Sequence, residues 1–226
     1  MEATHSMGRS GEDVPEGTNS PSHNEKTGEL AIPEEDRQRA NLYGLLARVL
    51  AEPMGDETLE VVRALEGQSD ENELGAALAT LGTVAVRTPR GVAEEEFSAL
   101  FYGDGSGGEI LPYASYYLTG FLLEKPLAKL RGDMAVLGIK NSGISKEPED
   151  HIAYLCEIMH GLITGAFNEP ASLENQQKFF ETHMAPWVGR FFSELEGAES
   201  ASLYMPVGTI GRLFMAIEAK AFEMAA

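Results

Sequence analysis

The sequence predicts an all-α fold, a single-domain bundle of roughly eight to ten helices, and three observations carry that expectation. From Ile32 onward the apolar residues recur at i, i+3 and i+4, which gathers them on one helical face. Strand signals are nearly absent, with Thr83–Val86 as a short ambiguous stretch. The chain has 226 residues, 43% of them hydrophobic, and a domain of this size can bury about 70% of its unfolded surface.

Residues 1–30 are expected to form a disordered tail. Fifteen of them are Gly, Pro, Ser, Thr or Asn and five are apolar, too few to offset the entropy of ordering the segment. The helical domain is expected over 31–226. Pro33 with Glu34, Glu35 and Asp36 supplies a first helix start, with acids at the positive end of the dipole. The stripe Leu42, Leu45, Leu46, Val49, Leu50 follows and stops at Pro53. Asp56–Leu65 and Asn72–Leu81 read as shorter helices, and Val92–Phe101 turns Phe97, Leu100 and Phe101 inward. After a glycine-rich break come Ile110–Leu123 and then Pro126–Leu137, which carries Leu127, Leu130, Met134 and Leu137 on one side. Pro148–Ala166 has the cleanest apolar face, from Ile152 through Leu155, Cys156, Met159, Leu162 and Ile163. Ser172–Leu195 and Met205–Met224 read as two long amphipathic stretches.

The formal charge is −19, from 36 acids against 17 bases. Six acids and two bases lie in the tail, so −15 belongs to the rest. That sign excludes phosphate backbones, which need clustered Lys and Arg, and no nucleic-acid partner is expected. It suits a cationic ligand. The lone Cys156 excludes an internal disulfide and a cysteine-based zinc site, and its apolar neighbours make it a small buried hydrophobe. No run approaches the roughly 18 apolar residues of a membrane span, and the N-terminus lacks the basic-then-apolar pattern of an export signal. The chain is expected to remain in the cytoplasm, without stable membrane insertion.

Catalytic signatures are absent: no G-x-S-x-G, no phosphate loop, no H-E-x-x-H. Gly103, Gly105 and Gly108 match G-x-G-x-x-G formally, but the motif follows a helical pattern and runs into Pro112, the wrong context for a dinucleotide. Glu157 and His160 form one Glu-x-x-His pair, and a carboxylate-bridged metal site needs two. No metal or other cofactor is expected. Glu147-Pro148-Glu149-Asp150-His151 remains. Pro148 at the first helical position with acids in the first turn is an ordinary helix start. The same residues also gather three carboxylates and an imidazole at one exposed helix end, suited to gripping a guanidinium.

Four segments, Arg39-x-x-Leu42-Tyr43-x-x-Leu46-Ala47, Leu111-Pro112-Tyr113-Ala114-Ser115-Tyr116, Glu147-Pro148-Glu149-Asp150-His151-Ile152 and His183-x-x-x-Trp187-x-x-x-Phe191, stand in this order. Together they resemble the TorD/DmsD/NarJ family of cytoplasmic chaperones for molybdenum-containing oxidoreductases, over residues 34–224. The resemblance implies a chaperone and not a catalyst. Its partners would be a molybdenum-containing oxidoreductase precursor and that precursor's twin-arginine signal peptide, held before export while the molybdopterin cofactor is inserted. It carries peptide binding onto Asp150 and His151, with Glu147 and Glu149 as helpers. It carries it also onto Tyr113, Ser115 and Tyr116, as a groove wall or as aromatic core. Tyr43 and Trp187 read as core. Chaperones of dimethyl sulfoxide reductases use several tryptophans near the peptide, whereas this chain has Trp187 alone. Leu111–Gly138 is more similar to family members associated with formate dehydrogenases. A homodimer formed by helix exchange is open to the family. Against this stand a small helical carboxylate-metal enzyme and a helical scaffold for another protein partner.

Overall fold

The computed structural model describes residues 32–67, 71–103, 107–140 and 147–225. The tail expected over 1–30 lies outside the described residues, as do part of the glycine-rich break and the turn at 141–143. Among the described residues ten α-helices follow one another, all within a compact unit of residues 32–226. They are α1 (Glu34–Ala51), α2 (Asp56–Arg63), α3 (Glu73–Arg87), α4 (Arg90–Phe97), α5 (Ala114–Thr119), α6 (Lys125–Val136), α7 (Ile152–Thr164), α8 (Leu173–His183), α9 (Val188–Glu196) and α10 (Met205–Ala225). No strand occurs among the described residues; one isolated antiparallel bridge joins Tyr113 and His151.

Where the helices begin follows local chemistry. Glu34, Glu35 and Asp36 occupy the first turn of α1, the Asn72 side chain accepts the Gly75 N–H to open α3, and the Ser172 hydroxyl accepts the Asn175 N–H to open α8. The ambiguous Thr83–Val86 run is helical, because Ala85 and Gly82 are buried in α3 and packing outweighs β-branched propensity. The long Ser172–Leu195 stretch is two helices with a turn at Met184–Trp187, and buried Met184 and Trp187 keep the apolar phase unbroken across it. Of Ile110–Leu123, the segment Ala114–Thr119 is helical. Ser98–Tyr102 extends α4 as a π-helical turn that ends at Gly103, whose φ of 61° lies in the left-handed region. Gly108 packs so close that a Cβ there would meet the Phe101 backbone, so these glycines serve chain geometry.

α1 lies against α7, and α10 against α9 and α3. Tyr43, Leu46 and Leu50 meet Ile152, Leu155, Cys156 and Met159 in one core that continues through Phe180, Phe191, Phe192 and Phe214. Tyr43 packs edge-on against Phe214 at 4.7 Å, and both Tyr43 and Trp187 are buried, as the sequence suggested. Two buried carboxylates staple this frame. Glu218 takes both arms of the Arg39 guanidinium at 2.7 and 2.8 Å and the Tyr43 hydroxyl at 3.0 Å, tying α1 to α10. Glu96 accepts the backbone N–H groups of Ser202, Leu203 and Tyr204, fixing the entry to α10.

Candidate functional site

Two of the four sequence segments, Leu111–Tyr116 and Glu147–Ile152, fold onto each other. The Ala114 N–H donates to the Asp150 carbonyl at 3.0 Å, and the Ile152 N–H donates to the Pro112 carbonyl at 2.9 Å. Pro112, with no N–H of its own, takes part as an acceptor. Side chains complete the joint. Asp150 Oδ2 accepts the Ser115 N–H at 2.9 Å in the first turn of α5, and Ser115 Oγ accepts the Glu124 N–H at 3.3 Å. Tyr113 donates its hydroxyl to Glu147 at 2.5 Å, and its ring stands edge-on to the His151 imidazole at 5.2 Å. His151 Nδ1 accepts the Ala153 N–H at 3.1 Å and caps α7.

This joint corrects the sequence reading of an exposed helix start at Pro148. The helix begins at Ile152, and residues 147–151 form a turn that the Leu111–Tyr116 segment covers. Consequently Asp150, His151 and Glu149 are 1%, 5% and 6% exposed, and Ser115 is fully buried. The Arg131 guanidinium holds Glu149 at 2.7 and 2.9 Å. Asp150 Oδ1 is a buried oxygen with no hydrogen-bond partner. Glu147 and Tyr113 are half-buried and Tyr116 is exposed. Tyr113, Ser115, Glu147, Asp150 and His151 are thus joined in one neighbourhood, with Asp150 and Ser115 inside it as framework and Glu147 and His151 on its open side, while Glu149 turns to Arg131 and Tyr116 packs on Tyr117.

That open side is a cleft of about 350 Å³ between α1 and α7. Gly44, Ala47, Arg48 and Ala51 form one wall; Glu147, His151, Tyr154, Glu157 and His160 form the other. Sequence reasoning missed the α1 wall, because Gly44, Ala47 and Ala51 are too small to signal anything until a neighbour is placed over them. The small residues make the space, and at Gly44 a Cβ would stand 3.2 Å from His160 Nδ1. Arg48 is already engaged by Glu57 at 2.8 Å and the Thr58 hydroxyl at 3.1 Å, so it does not cancel the acids across the cleft. His160 Nδ1 donates to the Ala40 carbonyl at 2.8 Å. Glu157 and His160 gain no third ligand: among the described residues, no group of three or more His, Cys, Asp or Glu side chains could hold a metal ion. Burial pushes the His151 imidazole down to about 4, against the opposing pull of Asp150, so the ring is neutral near pH 7.

Past Tyr113 in the chain, a run of apolar side chains is exposed: Tyr116, Leu118, Phe121, Leu122 and Leu123. Leu123 has φ 59°, a left-handed backbone that a leucine rarely adopts. A smaller cavity of about 80 Å³ lies between α6 and α8, where His183 pairs with Asp133 at 2.9 Å. A more open groove of about 510 Å³ runs along α3 and α10, and its Arg212 is paired with Glu196. Neither collects several acids beside exposed aromatic residues.

The family model described as nitrate reductase delta subunit matches residues 68–193, more than half of the chain. The chain belongs to the TorD/NarJ chaperone family. Among TorD/NarJ relatives, the chaperone protein TorD of Vibrio atlanticus is 30% identical over 195 residues, covering 77% of this chain and 90% of that protein. The chaperone protein TorD of Vibrio parahaemolyticus is 24% identical over 194 residues, with the same coverage. The crystal structure of a protein described as a redox enzyme maturation protein, from Archaeoglobus fulgidus, has a TM-score of 0.53 at 19% identity over 79% of this chain and 94% of that one. That likeness shows a shared fold. As a TorD/NarJ member the chain is a chaperone, not a catalyst. No helix among the described residues is long and apolar enough to cross a membrane.

Proposed function

We propose that this TorD/NarJ chaperone binds the twin-arginine signal peptide of a molybdenum-containing oxidoreductase precursor, in the cytoplasm, before cofactor insertion and export are complete. The observation that carries the reading is the acid-lined cleft between α1 and α7, in a chain that also exposes an apolar run at 116–123. A twin-arginine signal is two cations followed by an apolar segment. Glu147 and Glu157 suit the cations, as charge-assisted pairs in a partly dry site. Gly44 to Ala51 spans about 10 Å at the helical rise, which accommodates about three extended residues. The arginine pair fits there and the apolar segment must lie outside, where Leu118, Phe121, Leu122 and Leu123 are exposed. Strain at Leu123 is of the kind that persists at binding segments.

Within this reading Asp150 and Ser115 hold the joint, Glu149 is steadied by Arg131, and Tyr113 orients Glu147. The client of first choice is a formate dehydrogenase, on the resemblance of Leu111–Gly138. The test is calorimetric titration of the full chain with a synthetic peptide of two arginines followed by an apolar stretch. Ala47→Trp fills the cleft without touching a charge, and it is expected to abolish binding while the helical spectrum is kept. Raising salt is expected to weaken binding to the wild type. Full affinity in the Ala47→Trp variant would place the peptide elsewhere. Co-purification of a formate dehydrogenase precursor tests the client.

A further inference from the structure

The cap of α7 determines which hydrogen bond His151 has left to offer. Its Nδ1 accepts the Ala153 N–H, so in the neutral ring the proton sits on Nε2. Among the described residues Nε2 has no hydrogen-bond partner, yet it is not sealed: the buried side-chain atoms without partners there are Asp150 Oδ1 and Tyr204 Oη. The residue is 5% exposed and lines the α1/α7 cleft, so that remaining nitrogen is presented there. Around it stand Asp150 in the chain, the Tyr113 ring at the start of α5, Arg48 on α1 across the cleft, and Glu147, Tyr154, Glu157 and His160 on its own wall. Burial keeps the ring uncharged despite the neighbouring Asp150. An N–H donor in this position offers nothing to a guanidinium, which is itself all donors. It needs an acceptor.

We infer that His151 donates from Nε2 to a backbone carbonyl oxygen of the bound peptide, while the carboxylates of the same cleft take its arginines. The inference rests on the cleft reading above and narrows it. The ligand is recognised as a peptide, through main chain and side chain together, and not as a free cation such as a polyamine. His151 is then a specificity-determining residue whose partner is the main chain.

The sign of one substitution separates this from a direct His151–arginine contact. His151→Asp keeps an acceptor at the cap position, where Asp is favoured, and adds a negative charge to the cleft. If His151 faced the arginine, the variant would bind the Arg-Arg peptide more tightly. The inference expects at least about tenfold weaker binding by calorimetry, from loss of the donor. His151→Asn, which keeps both an acceptor and N–H donors, is expected to retain more affinity than His151→Asp. A nitrogen-detected imidazole spectrum of the wild type at pH 7 is expected to show Nε2 protonated, with its proton shifting when peptide binds. Tighter or unchanged binding in His151→Asp, or an Nδ1-protonated ring, overturns the inference and leaves the cleft reading standing. If the wild type binds the peptide no better than one with both arginines replaced by glutamine, both fall.

Discussion

Tyr113 donates its hydroxyl across 2.5 Å to Glu147, 34 positions further along the chain, and with that bond two short segments become one site. The backbone bridge between Tyr113 and His151 sets their register, and Asp150 locks it from inside through the Ser115 N–H. The joint sets Glu147 and His151 on the cleft and starts α5, which leads into the exposed apolar run.

Tyr113→Phe keeps the ring and removes the donor. The bond is charge-assisted but half-exposed, so the expected loss is about 1 kcal/mol of stability. Peptide affinity is expected to fall as well, since Glu147 loses the group that orients it. Urea unfolding and calorimetry on the same preparation check both.

Asp150→Ala removes the acceptor for the first turn of α5 and is expected to cost about 1–3 kcal/mol. Asp150→Asn keeps an acceptor oxygen and is expected to cost less. A variant lacking Asp150 that binds poorly must therefore be compared at matched folded fraction. Equal stability of the two variants would contradict the framework role.

His151 holds a proton less tightly in the fold than in the unfolded chain, since burial takes it from 6.5 to about 4. Between those values the unfolded chain binds the proton and the folded one does not. The contribution is complete above pH 6.5 and is lost as pH falls toward 4, on the order of 3 kcal/mol from this group. The stability difference between wild type and His151→Asn is expected to shrink across that window in denaturant titrations. A difference independent of pH would contradict a buried neutral ring.

Glu218→Ala leaves the Arg39 guanidinium without its bidentate partner and Tyr43 without an acceptor. Removing one member of such a pair is expected to destabilise by about 3–5 kcal/mol. The side chains of the staple do not line the cleft, so peptide affinity of the folded fraction is expected to be unchanged. Thermal unfolding together with calorimetry checks the split.

Much of the frame was legible because it depends on local patterns. The stripe Leu42 to Leu50 and the acids at 34–36 announce α1, and the apolar face from Ile152 to Ile163 announces α7. Boundaries failed where a local rule had two solutions. Pro148 suits a first helical position, but the true cap is His151, a residue type that cap preferences do not flag. The α8–α9 turn was hidden because Phe180, Met184 and Trp187 continue the apolar phase through it. At the site, the 147–152 and 111–116 segments could be named, but not their pairing, which depends on a bridge between distant residues. The α1 wall could not be read at all, since Gly44, Ala47 and Ala51 acquire meaning from the helix opposite them.

The most direct test is a backbone-amide chemical-shift map of the full chain, titrated with the Arg-Arg peptide. The account expects the largest shifts at Gly44, Ala47, Ala51, Tyr154 and Glu157, with a second set at Leu118 to Leu123. Shifts confined to α6 and α8 around Val136 and Phe179, with the α1/α7 cleft silent, would contradict it.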